Sequence, residues 1–127
     1  HLPLCDWQRI ESWSTGQGVP DMNGCYDGKE FWVELKQTAA WAVQVSPQLV
    51  AWLERRARHG GRVKIAVRQK TTAGPRKGAA VDALHLLPAR ESRRLATEGL
   101  QNCDCLGFWS GGPARWDWED ILNLLPV

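Results

Sequence analysis

Two carboxylates and an ammonium, on Asp21, Glu34 and Lys36, are the side chains of this 127-residue chain that could do chemistry if the fold brought them together. Facing carboxylates repel one another, and a divalent cation relieves that repulsion. Mg²⁺ suits a site with one or two carboxylates, a carbonyl and several retained waters. A neighbouring ammonium can orient a water or stabilise charge developing on a reacting oxygen.

The stretch from Gly18 to Lys36 must position them, and it reads as a β-hairpin. Asp27-Gly28 separates two strand-like runs, and a two-residue type I′ turn needs φ > 0 at both central positions, which this dipeptide tolerates. In that register Tyr26 faces Lys29, Cys25 faces Glu30, Met22 faces Val33 and Asp21 faces Glu34. The last pair falls in the close, non-hydrogen-bonded class, with Cα atoms about 4.5 Å apart. Strand alternation sends Phe31, Val33 and Leu35 to an apolar face meant for a core, and Trp32, Glu34 and Lys36 to the other. A bulge at Gly24 would shift the register by one residue and part the carboxylates.

Pro20-Asp21, followed after the hairpin by Glu34-Leu35-Lys36, resembles the active-site signature of the PD-(D/E)xK nuclease superfamily. The context agrees with it: a helix before, the motif on two antiparallel strands, and a Gln-bearing amphipathic helix after. Residues 5–70 are similar to small phage and virus-type (VRR-NUC-like) nucleases and to archaeal Holliday-junction resolvases. The resemblance implies a restriction-endonuclease-like α/β fold with an αββαβ core, a mixed sheet and flanking helices. It implies a DNA endonuclease that hydrolyses phosphodiester bonds with Mg²⁺ or Mn²⁺. Asp21, Glu34 and the Leu35 carbonyl would hold the metal, and Lys36 would orient the attacking water or stabilise charge. Gln48 would orient a water or contact a phosphate, and Glu11 stands where such nucleases often add an acidic residue from the preceding helix. As residues alone, Glu11 and Gln48 read equally well as solvated helix side chains. The resemblance to junction resolvases also suggests branched DNA and a symmetric homodimer, because a four-way junction needs two cuts, while a monomeric nicking or degradative nuclease fits the sequence equally well.

Along the chain, Pro3 to Thr15 reads as a first helix with a ragged amphipathic pattern, ended by Gly16 to Gly18. Ser46-Pro47 then reads as an N-cap and first helical position, and Leu49, Val50, Trp52, Leu53 and Ala57 recur at helical spacing until Gly60-Gly61. Residues 62–68 alternate with period two, as a strand with one face in the core. A loop over 69–80, a strand over 81–87, a helix over 89–98, a short strand at 106–109 and a helix over 116–125 complete the order, with Asp117 as the last N-cap. Between Arg55 and Lys77 the chain has nine Lys or Arg residues and no acid. Spread over a helix end, a strand and a loop, they suit a phosphate backbone, and Arg55, Arg56, Arg58, Arg62, Lys64, Lys70, Arg76 and Lys77 are the candidate contacts.

The length allows one domain with a real core. With 16 basic and 14 acidic residues the net charge is only +2, so the local distribution says more about partners than the total. No apolar run reaches the roughly 18 residues of a membrane span and no signal segment opens the chain, so a soluble, cytoplasmic protein is expected. Cys5, Cys25, Cys103 and Cys105 lack disulfide or zinc spacing and read as free thiols. His1, His59 and His85 are scattered, and no nucleophile-elbow, P-loop or dinucleotide motif competes with the hairpin. The rival from another class is a nucleic-acid-binding module that keeps the nuclease fold without its chemistry.

Overall fold

The computed structural model describes residues 2–10, 18–72 and 78–127. Six strands form one mixed sheet in sequential order: β1 (Asp6–Arg9), β2 (Met22–Tyr26), β3 (Lys29–Thr38), β4 (Val63–Thr71), β5 (Val81–Pro88) and β6 (Gly107–Trp109). Every neighbouring pair is antiparallel except β3 and β4, which the crossover helix α1 (Pro47–Arg58) makes parallel. Helices α2 (Ser92–Glu98) and α3 (Trp118–Leu124) follow β5 and β6.

The hairpin folds as its turn dictates. Asp27 and Gly28 both have positive φ, 52° and 73°, and β2 pairs with β3 from Tyr26↔Lys29 through Met22↔Val33 without a bulge. Gly24 sits at a regular ladder position because two aromatic rings lie over it. A Cβ there would come within 2.6 Å of the Phe31 ring and 2.9 Å of the Trp7 ring.

The sheet separates two cores. On one face α1 lays Leu49 and Leu53 on Val63, Ile65, Val67 and Leu87. Ser46 caps α1, its hydroxyl accepting from the Leu49 N–H at 3.2 Å. On the opposite face α3 lays Ile121, Leu122 and the following Leu125 near Phe31, Val33, Leu84, Leu86, Trp109 and Trp116. The Asp117 side chain caps α3 by accepting from the Asp120 N–H. Trp109 and Trp116 are buried here.

Three expectations change. The first described element is a strand, not a helix over 3–15: residues 6–9 pair antiparallel with Met22–Cys25. Trp7 is held edge-on to Phe31 at 5.4 Å and donates its indole N–H to Leu2 O, so tertiary pairing overrides a weak helical pattern. The rest of that predicted helix, 11–15, lies outside the described residues. Strand β4 has both faces covered rather than one, since α3 closes the side that carries Lys64, Ala66 and Arg68. Leu35 points to the same side as Phe31 and Val33 but is 51% exposed, lining an open apolar cavity of about 610 Å³ between the sheet and α3.

Candidate active site

Asp21 and Glu34 meet at the end of the β2–β3 ladder, where backbone pairing gives way to side chains. The Asp21 N–H donates to Glu34 Oε1 at 3.1 Å, and the Leu35 N–H donates to Asp21 Oδ2 at 2.9 Å. Each acid is therefore pinned to the other's strand. The β2–β3 ladder ends at Met22↔Val33, two positions short of Pro20, which has no N–H to donate. The Asp21 carbonyl accepts from the Ile10 N–H at 2.7 Å, which ties the chain beyond β1 to the same corner.

Lys36 completes the cluster. Its Nζ lies 3.1 Å from Glu34 Oε2, with about a quarter of the lysine side chain open to solvent. Glu34 itself is only 5% exposed. Burial is the main cause that pushes its carboxyl up to about 7, and the nearby Asp21 charge adds to it while Lys36 opposes it. The adjoining carboxyl groups of Asp21 and Glu34, beside the Leu35 main chain, form a hard, oxygen-rich donor set with a lysine at its edge. Asp21, Glu34 and the Leu35 carbonyl fit a divalent cation such as Mg²⁺ or Mn²⁺. Among the described residues no three His, Cys, Asp or Glu side chains cluster.

Gln48 lies in the first turn of α1, exposed, with its Cβ and backbone packed near Gly18 and so close to the strand that leads into Asp21. Glu11, Arg76 and Lys77 lie outside the described residues. Arg55, Arg56, Arg58, Arg62 and Lys70 are exposed, the first three in the last turn of α1. Lys64 departs from its expected place on a phosphate-facing surface. It is 5% exposed, its ammonium donates to Val127 O at 2.5 Å, and burial lowers its pKa. Arg68 is held bidentate by Asp82 at 2.8 and 2.7 Å.

The chain shares its architecture with a Holliday junction resolvase from an archaeal hyperthermophile, Hjc of Archaeoglobus fulgidus. The two structures superpose with a TM-score of 0.51 over 91% of this chain and 80% of that one, at 16% sequence identity. The fold is restriction-endonuclease-like. At the level of sequence, neither a family model nor a curated protein matches. In this fold the mixed sheet and crossover helix place Asp21, Glu34 and Lys36 on one side of the sheet, with Gln48 at its edge.

One constellation escaped the sequence reading. Trp32 and Trp52 meet at 5.5 Å, and the Arg56 guanidinium lies over both rings, 5.9 and 4.6 Å from their centroids. Its signal was present: Trp52 and Arg56 are four apart on one helix face, and Trp32 shares a strand face with Glu34. The four thiols are free as expected, and His85 is buried, 3.2 Å from Gln69 Oε1. No helix is long and apolar enough to cross a membrane.

Proposed function

We propose that this chain is a divalent-metal-dependent DNA endonuclease that hydrolyses phosphodiester bonds at Asp21, Glu34 and Lys36. The observation that carries this reading is the pair of hydrogen bonds that joins the acids, from the Asp21 N–H to Glu34 and from the Leu35 N–H to Asp21, with Lys36 against Glu34, on a fold shared with a junction resolvase. Asp21, Glu34 and the Leu35 carbonyl would hold Mg²⁺ or Mn²⁺. When bound, such an ion polarises the phosphoryl group and makes a water a better nucleophile. Lys36, half tethered to Glu34, keeps its ammonium at the mouth of the site, where it orients the attacking water and offsets charge on the phosphoryl oxygens. Gln48 is placed to contact that water or the adjacent phosphate. The exposed arginines of α1 grip the backbone without reading sequence.

Branched DNA is the favoured substrate, since the neighbour in fold is a Holliday junction resolvase. Two symmetric cuts on a four-way junction require two copies of this site, so the working unit would be a homodimer.

The test is incubation of the purified protein with labelled four-way junction, linear duplex and single-stranded DNA, in Mg²⁺, Mn²⁺ or EDTA, beside Glu34→Ala and Lys36→Ala. Metal-dependent cutting by the wild type is expected. Both variants should lose about 100-fold or more in rate while still binding DNA. Paired nicks on the junction alone would support junction selectivity. Wild-type rates in Glu34→Ala would remove the site assignment, and binding without cutting under every metal would make the chain a binding module.

A further inference from the structure

The arginines at the end of α1 are alike in type but not in surroundings. Arg56 alone among them is recorded stacked on indoles, Trp52 from its own helix and Trp32 from β3. Its stem runs over Gly61, where a Cβ would come within 2.5 Å of Arg56 Cγ. The side chain is therefore fixed on three sides. No carboxylate pairs with it among the described residues, and the nearest acid on the helix, Glu54, is taken by Arg93 at 2.6 and 3.2 Å. Both contacts are cation–π, and no side-chain hydrogen bond or ion pair uses its N–H groups among the described residues, so its donor fork is left for a ligand such as a phosphate.

Its place relative to the acidic pair is set by the strand. Trp32 and Glu34 point to the same side of β3 two residues apart, about 7 Å. Across the sheet, Trp32 pairs with Asn23 and Asn23 with Gln8, a polar row beside α1. The next row toward the turn contains Asp6 and Glu30, both exposed, which would repel a phosphate. A strand entering the site thus has one fixed cation at its flank and an acidic border beyond it. Gln48 lies eight residues earlier on the same helix, about 12 Å away.

We propose that Arg56, fixed by Trp32, Trp52 and Gly61, binds a backbone phosphate about one to two nucleotides from the cleaved bond and so sets the register of the strand on Asp21 and Glu34. This rests on the nuclease reading. Because the side chain is ordered before DNA arrives, its contact loses little entropy on binding and fixes position as well as adding charge. Arg56 is a positioning residue, not a group that touches the reacting atoms.

The test measures DNA affinity in EDTA across a salt series, and cleavage positions on end-labelled DNA in Mn²⁺, for wild type, Arg56→Ala, Arg56→Lys, Glu34→Ala and Arg115→Ala, the last an exposed arginine between β6 and α3, next to Trp116 of the opposite core. Arg56→Ala should weaken binding about tenfold and lower the slope of log K against log salt by about 0.9. Arg56→Lys should keep the slope, because the charge remains, but scatter the cut positions. Arg115→Ala should do neither. If Arg56→Ala matches Arg115→Ala while wild type binds and cuts and Glu34→Ala does not cut, the clamp is wrong and the nuclease stands. If Arg56→Lys cuts at the same positions as wild type, Arg56 supplies charge but not register. If wild type neither binds nor cuts, both readings fall.

Discussion

A glutamate is ordinarily ionised at pH 7, but Glu34 is buried beside Asp21 and its carboxyl is pushed up to about 7. Its folded pKa lies above the unfolded value, so between about 4.5 and 7 the native state holds a proton that the unfolded chain has released. That contribution to stability is fully present below pH 4.5 and is lost as pH rises through 7, by up to about 3 kcal/mol. Urea unfolding in EDTA should therefore show wild type weakening from pH 5 to pH 8, with Glu34→Gln much flatter and the more stable of the two at pH 8. Added Mn²⁺ should raise the wild-type midpoint at pH 8 and leave Glu34→Gln unmoved. A wild-type pH profile as flat as that of Glu34→Gln would show that the carboxyl is not under this strain. The approach of Asp21 to Glu34 was legible because Asp27-Gly28 fixes a register. The commitment of Lys64 was not, since its partner Val127 lies 63 residues along the chain and strand alternation says nothing about which helix closes a face.

Among the elements, the β2–β3 hairpin depends on a residue with no side chain. Gly24 leaves room for the Phe31 and Trp7 rings, which meet edge-on and bind β1 to the sheet. Gly24→Ala forces those rings aside and should destabilise the fold by about 1–3 kcal/mol, the ordinary cost of overpacking. Because Trp7 belongs to β1, hydrogen exchange should rise first at Asp6–Arg9; protection there equal to wild type would show that β1 is held by other contacts. A lone glycine in a strand pattern reads from sequence as a bulge, and only the rings arriving from two other positions decide otherwise. The same long-range packing made β1 a strand. By contrast α1 was legible almost to the residue: Ser46, Pro47, the apolar spacing and Gly60-Gly61 are all local signals. The tripartite stack of Trp32, Trp52 and Arg56 joins a strand to a helix, so helical spacing alone could indicate half of it.

At the scale of the molecule, one sheet serves two cores with separate tasks. Leu53 belongs to the α1 side, which positions Gln48 and Arg56, while Leu86 belongs to the α3 side and touches none of the candidate site residues on α1. Both are fully buried, so Leu53→Ala and Leu86→Ala should each cost about 2–5 kcal/mol. The two side chains lie on opposite sides of the sheet in different clusters, so their costs should add to within about 0.5 kcal/mol in the double variant. Their effects on cleavage should differ at temperatures where both variants stay folded. Loosening α1 moves the groups that hold DNA, whereas loosening α3 leaves Asp21, Glu34 and Lys36 in register through the β2–β3 ladder. Urea midpoints combined with cleavage rates at 15 °C check both statements. Equal loss of rate in the two variants would mean that the cores are coupled through the sheet, and that the site depends on the whole packed molecule and not on the α1 side alone.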